Sequence, residues 1–206
     1  MKVLVACEFL GVVRDAFLAR GHDAVSCDLL PTSTPGPHIE GDVLDHLGDG
    51  WDLMIAHPPC TYLCSSGLHW NTRRSGRAAQ TEAALDFVRA LLTAPIPQIA
   101  LENPVGCIST RIRRPDQTIQ PWQFGHGETK ATCLWLICLP PLTPTDIVPG
   151  REGRVWRLPP TPDRWALRAR TYAGIAAAMA DQWGGEPPGQ AGLSPPKTST
   201  PPPARR

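Results

Sequence analysis

Apolar runs of strand length alternate with stretches of helical periodicity along most of this chain. Residues 3–7 (Val-Leu-Val-Ala-Cys) form the first run and predict a buried strand. A helical stretch to about Arg20 follows, with Val12, Val13, Ala16 and Phe17 as its apolar positions, and Gly21-His22 turns out of it. Residues 24–27 predict a second strand ending in Asp28, residues 31–37 a Pro-rich loop, and residues 39–43 a brief third strand or its exit turn. Residues 51–56 read as a fourth strand. The clearest helix spans 78–93, where Ala84, Phe87, Val88, Leu91 and Leu92 share one face, and Pro95 and Pro97 stop it. Residues 98–101 and 132–136 predict further strands, and 172–183 an Ala-rich final helix. This alternation predicts an α/β fold with a doubly wound, mostly parallel sheet. No internal repeat is visible.

The 206 residues suit one domain, placed at 1–183, with a core that needs no disulfide or metal staple. The 24 prolines cluster, and residues 184–206 hold a Gly-, Pro- and Ser-rich segment with a basic end, expected to be a disordered tail. The seven cysteines are scattered, with no Cys-x2-Cys pair and no zinc-finger partner for Cys60 and Cys64, so they read as free thiols and no metal is expected. No apolar stretch approaches the roughly 20 residues that span a bilayer, which excludes a transmembrane helix and predicts a soluble, cytoplasmic protein.

The formal net charge of +1 hides a split along the chain. Residues 1–70 carry nine acidic side chains against three basic ones, and residues 71–206 carry seventeen basic against ten acidic. An acidic half beside a basic half predicts two unlike ligands, one small or cationic and one polyanionic.

Two short strings carry the candidate chemistry: Ala-His-Pro-Pro-Cys at 56–60 and Leu-Glu-Asn-Pro at 101–104. Each directly follows an apolar run, so a cysteine and a carboxylic acid are placed at the ends of two core strands, where open α/β sheets bind ligands. Pro58 and Pro59 stiffen the loop and leave Cys60 little freedom. Partial exposure in such a loop favours a lowered thiol pKa and a nucleophilic role. Glu102, buried at a strand terminus, is expected to keep its proton and act as a general acid, with Asn103 fixing the geometry. Glu8, Asp28 and Asp42 close three successive elements, a pattern that suits a nucleoside-bearing ligand, and Glu8-Phe9-Leu10-Gly11 lies at the first strand-to-helix junction, where a glycine lets backbone approach a ligand.

In this order the motifs resemble those of the C5-cytosine DNA methyltransferases, and most of all their short, phage-type members, over residues 1–183. The resemblance implies a Rossmann-like methyltransferase fold and S-adenosyl-L-methionine as cofactor. It gives Glu8, Phe9, Gly11, Asp28, Asp42 and Pro58 cofactor-binding roles. Cys60 becomes the nucleophile that adds to C6 of a flipped-out cytosine in DNA, and Glu102 binds the protonated N3. Ser65-Ser66-Gly67 matches the end of the Pro-Cys loop, and Tyr172-Ala173-Gly174 resembles the closing Gly-Asn motif loosely. The implied setting is the cytoplasm of a bacterial host or a phage-infected cell, with DNA modification of the restriction type.

The chain departs from the family in three places. Val12 and Val13 stand where a second cofactor-loop glycine belongs, the Gln-x-Arg-x-Arg motif is reduced to Arg111-Ile112-Arg113, and residues 105–170 replace a large recognition region. Arg73, Arg74, Arg111, Arg113, Lys130, Arg151 and Arg154 are the expected DNA contacts, the last two in an Arg-rich piece from Arg151 to Arg170. A protein partner that supplies sequence recognition is a further expectation. Two other readings stay open: an exocyclic-amine DNA methyltransferase, kept alive by Tyr62, and a catalytically inactive nucleic-acid-binding or partner homologue.

Overall fold

A computed structural model describes residues 1–162 and 164–185. The chain runs β1 (Lys2–Ala6), α1 (Val12–Leu18), β2 (Asp23–Asp28), β3 (His38–Glu40), β4 (Leu53–Ala56), α2 (Ser65–Leu68), α3 (Arg77–Leu92) and β5 (Gln98–Pro104). It continues through α4 (Ile108–Arg111), β6 (Gln117–Ile119), β7 (Thr132–Ile137), α5 (Arg154–Arg157), α6 (Arg164–Ala169) and α7 (Ala173–Trp183). The expected tail, residues 184–206, lies outside the described residues beyond Gly185.

The strands form one seven-stranded sheet in the order β3-β2-β1-β4-β5-β7-β6. Six strands share a direction, and β7 runs against both its neighbours. This is a doubly wound, mostly parallel α/β sheet of the Rossmann-like type. The dinucleotide-binding order 3-2-1-4-5-6 is altered by a reversed strand inserted beside β5.

Side chains alternate across the sheet and build two cores, as strands buried on both faces require. Val3, Val5, Leu53, Ile55 and Ala100 face α1 and α7, while Leu4, Ala6, Met54, Ala56, Ile99 and Leu101 face α3. The apolar runs of β1, β4 and β5 therefore have no solvent face, which is why they lack a period of two.

One strand differs from its expected length. Glu102, Asn103 and Pro104 lie within β5, because β7 continues alongside them and pairs Glu102 with Leu134, Asn103 with Cys133 and Pro104 with Thr132. On the other side β4 stops at Ala56, opposite Leu101. Glu102 thus marks the point where one neighbour of β5 ends and the other goes on. The three-residue β6, with only Ile119 fully buried, carries too little pattern to be seen in the sequence. No helix among the described residues is long and apolar enough to cross a membrane.

Candidate functional site

The chain reverses its order in the sheet between β1 and β4, and a crevice opens there beyond the carboxyl ends of the strands, the general ligand position in open α/β sheets. A cavity of about 430 Å³ occupies it. Cys7 after β1, Asp28 and Leu29 at the end of β2, Gly41, Asp42 and Val43 after β3, and Pro59 after β4 form one wall. Tyr62 and Leu63, with Gln80, Ala84 and Phe87 of α3, form the other. Asp28 accepts from the Leu30 amide at 3.0 Å, and burial pushes its carboxyl above the usual range. Asp42 caps the turn at Val43–His46 through the Leu44 amide, also at 3.0 Å.

The other candidate cofactor residues are placed differently. Glu8 is buried and turned into α1, where its oxygens accept from the amides of Val13 (2.7 Å) and Arg14 (3.2 Å). It satisfies the free N–H groups of the helix start, and does not line the cavity. Gly11 has φ +72°, and a Cβ there would lie 2.4 Å from both Arg14 Nη2 and Thr34 Oγ1. The missing side chain makes room for a protein guanidinium where a close approach of ligand was expected. Phe9 stacks on Trp165 of α6, ring centroids 5.3 Å apart. Pro58 contributes its carbonyl to the Asn103 amide.

Arg14 is the residue that organises this corner, and it is fully buried. Its guanidinium reaches Asp15 (2.8 Å), Ser26 (3.2 Å), Thr32 (3.1 Å), Thr34 Oγ1 (2.9 Å) and the carbonyl of Pro35 (3.2 Å). It thereby pins the Pro-rich loop 31–37 against β2 and α1. An arginine interrupting the Val13–Phe17 face of α1 was the available signal, and a helical-periodicity reading passes over it.

Cys60 opens the turn Cys60–Tyr62 and is half-buried. Its thiol hydrogen-bonds Cys64, and that bond together with burial pushes Cys60 far above the ordinary thiol range. Cys64 is held well below it, chiefly by the Cys60 thiol and also by Ser66, whose Oγ lies at 3.2 Å, with Arg168 adding positive charge. The lowered pKa expected for Cys60 is carried by Cys64, chiefly through the neighbouring Cys60 thiol.

The two motif loops are joined by backbone and side chain. Asn103 Nδ2 donates to the Pro58 carbonyl at 2.7 Å, and the amides of Ser65 and Cys107 donate to the carbonyls of Val105 (3.0 Å) and Leu63 (2.8 Å). At Gly106 the contact is closest: a Cβ would lie 2.0 Å from the Leu63 carbonyl oxygen.

Glu102 faces the α7 side of the sheet, where His57 Nδ1 lies 3.0 Å from its Oε2. It shares a narrow cleft with Lys130, Thr132 and Tyr172. Burial acts to raise its carboxyl, but the His57 hydrogen bond and the Lys130 charge outweigh it and hold the group below the usual carboxylate range. The expectation of a proton-bearing acid is corrected accordingly: burial was legible in the sequence and the two neighbours were not.

The expected DNA contacts divide. Arg73 and Arg74 are exposed, with Arg74 3.9 Å from the Trp70 ring. Arg151 lies 3.8 Å over Trp122. Arg111 is paired with Glu82 (2.8 Å), Arg113 with Asp116 (2.7 Å) and Arg154 with Glu128 (2.9 Å), so these three are committed to the protein's own carboxylates. Lys130 faces Glu102 and Tyr172 rather than open solvent. Tyr172 donates to Glu128 at 2.7 Å, and Gly174 packs so tightly on Phe124 that a Cβ would lie 1.9 Å from its carbonyl oxygen. The Tyr-Ala-Gly string is a packing seam between α7 and the segment after β6.

No protein-family profile matches the chain, and no curated protein is similar to it in sequence. Among solved structures, it is similar to a candidate DNA modification methyltransferase encoded within a prophage of E. coli, at 13% identity and a TM-score of 0.46. The similarity covers 66% of this chain and 46% of that one, so this chain spans less than half of the other's length.

Proposed function

We propose that the chain is a DNA (cytosine-5)-methyltransferase that uses S-adenosyl-L-methionine and forms a covalent adduct through Cys60. The observation that carries the reading is the seam between the two motif loops: a Pro-Pro-Cys turn and a Glu-Asn strand end, joined by the Asn103–Pro58 hydrogen bond beside a crevice with two carboxylates. The crevice suits an adenosine moiety. Its walls are apolar at Leu29, Val43, Pro59 and Phe87, while Asp28 and Asp42 offer acceptors for ribose hydroxyls and an exocyclic amine.

When bound, the sulfonium cofactor would supply an electrophilic methyl group. The chain's own residues supply the rest. Cys60 adds through sulfur to C6 of the base, which makes C5 nucleophilic, and its thiol proton leaves to solvent. Glu102 meets the N3 edge, and Asn103 holds the Cys60 loop at a fixed distance from it. Arg73 and Arg74 are exposed and can meet phosphates of a strand whose base is turned out.

The deciding experiment incubates the protein with labelled S-adenosyl-L-methionine and DNA and digests the product to nucleosides. Label in 5-methylcytosine, lost in Cys60→Ser, is the expected result. Label on an exocyclic amine, or no transfer to any DNA, overturns the reading.

A further inference from the structure

His57 precedes the two prolines and has no role in the mechanism above, yet it is placed by the sheet itself. β4 and β5 are parallel and in register to the pair Ala56–Leu101, so the next residues of the two strands, His57 and Glu102, stand side by side on the α7 face. Their side chains are 10% and 14% exposed, and Nδ1 meets Oε2 at 3.0 Å. Among the described residues Oε2 alone of the two carboxylate oxygens has a hydrogen-bond partner, which leaves Oε1 for a ligand. His57 Nε2 is buried with no partner.

We propose that His57 is the positioning residue that sets the charge with which Glu102 meets the base, the two acting as one proton-holding pair. The proposal rests on the cytosine reading. A carboxylate whose proton has been displaced by its neighbours cannot by itself protonate N3. The groups that face it are His57 from β4, Lys130 from the segment before β7, Tyr172 at the start of α7, and Cys60, which feels its charge. Lys130 acts on it through charge, and the Tyr172 hydroxyl is bound to Glu128. Histidine is the side-chain type among them that takes up a proton near neutrality.

In the doubly protonated pair, imidazolium beside carboxylate, one proton moves to N3 as the Sγ–C6 bond forms and the C5=C6 electrons shift toward the ring. The pair is left as neutral imidazole beside carboxylate. After C5 has taken the methyl group and lost its proton to solvent, the Sγ–C6 bond breaks and the N3 proton returns to the pair. Addition therefore needs the protonated pair, and the rate falls as rising pH removes that proton.

Two measurements test this on the full chain. An NMR titration of His57 follows its ring proton in the wild type and in Glu102→Gln, where loss of the carboxylate is expected to lower the midpoint. Lys130→Met, which removes the opposing cation, is expected to raise it, and serves if Glu102→Gln does not fold. The pH profile of kcat/KM is then compared with that of His57→Asn, which keeps a donor toward Glu102 but holds no second proton. The alkaline fall of the wild type is expected to vanish in His57→Asn. A His57 midpoint indifferent to both Glu102→Gln and Lys130→Met, or an unchanged alkaline limb in His57→Asn, overturns the pair. If titration shows the coupling but no 5-methylcytosine forms with any DNA, it is the cytosine reading that fails, and the His57 role in catalysis with it.

Discussion

Asn103 Nδ2 donates to the Pro58 carbonyl across 2.7 Å, and this one bond ties the loop of Cys60 to the strand of Glu102. The amide is buried, so Asn103→Ala leaves the Pro58 carbonyl without its partner and is expected to cost about 1–3 kcal/mol, measured by urea denaturation. Gly106→Ala acts on the same seam by steric means, since the added carbon meets the Leu63 carbonyl. Both variants should lose methyl transfer by more than they lose stability.

Cys64, rather than Cys60, should be the reactive thiol of the resting protein. Iodoacetamide at pH 7 followed by peptide mass mapping is expected to modify Cys64 first, because its sulfur is held as thiolate by Cys60 and Ser66. Cys60→Ser should slow that labelling by weakening one of the two donors. Preferential labelling of Cys60 would contradict this arrangement.

Arg14→Met should destabilise the protein by about 2–4 kcal/mol, because it strips a buried cation from Asp15, Ser26, Thr32, Thr34 and Pro35 together. The loop at 31–37 should then become a protease-sensitive site while β1 and β4 stay protected. Its neighbours Leu29 and Asp28 line the crevice, so affinity for S-adenosyl-L-methionine, read by calorimetry, should fall as well.

His22 is buried against Phe17 with neither ring nitrogen partnered, and burial holds its pKa below the ordinary 6.5 of imidazole. The folded chain resists a proton that the unfolded chain accepts. This contribution to stability is complete above about pH 6.5 and is lost as pH falls, at up to about 1.4 kcal/mol per pH unit. His22→Leu should flatten the dependence of Tm on pH between 7 and 5 relative to the wild type.

The doubly wound, mostly parallel sheet was legible because β1, β4 and β5 are continuous apolar runs, which in a parallel sheet mark burial on both faces. Asp28 and Asp42 were legible for the same reason, each closing an element. Three features depend on partners distant in sequence and left no local pattern. The extension of β5 through Pro104 comes from β7, the ionisation of Glu102 from His57 and Lys130, and the shape of the loop at 8–11 from an arginine that reaches loop 31–37. Pattern reading sees a residue's burial better than it sees the company the residue keeps.

The parallel pairing of β4 with β5 also limits how this site can change over time. Side chains on β5 alternate, so Glu102 points toward α7 while Asn103 points toward the opposite layer. Removing or inserting a single residue between Gln98 and Leu101 would exchange the two, turning an amide toward His57 and a carboxylate toward Pro58. Individual residues of the strand can drift in size, but its length in residues is frozen, and a homologue with an indel there should have surrendered the reaction.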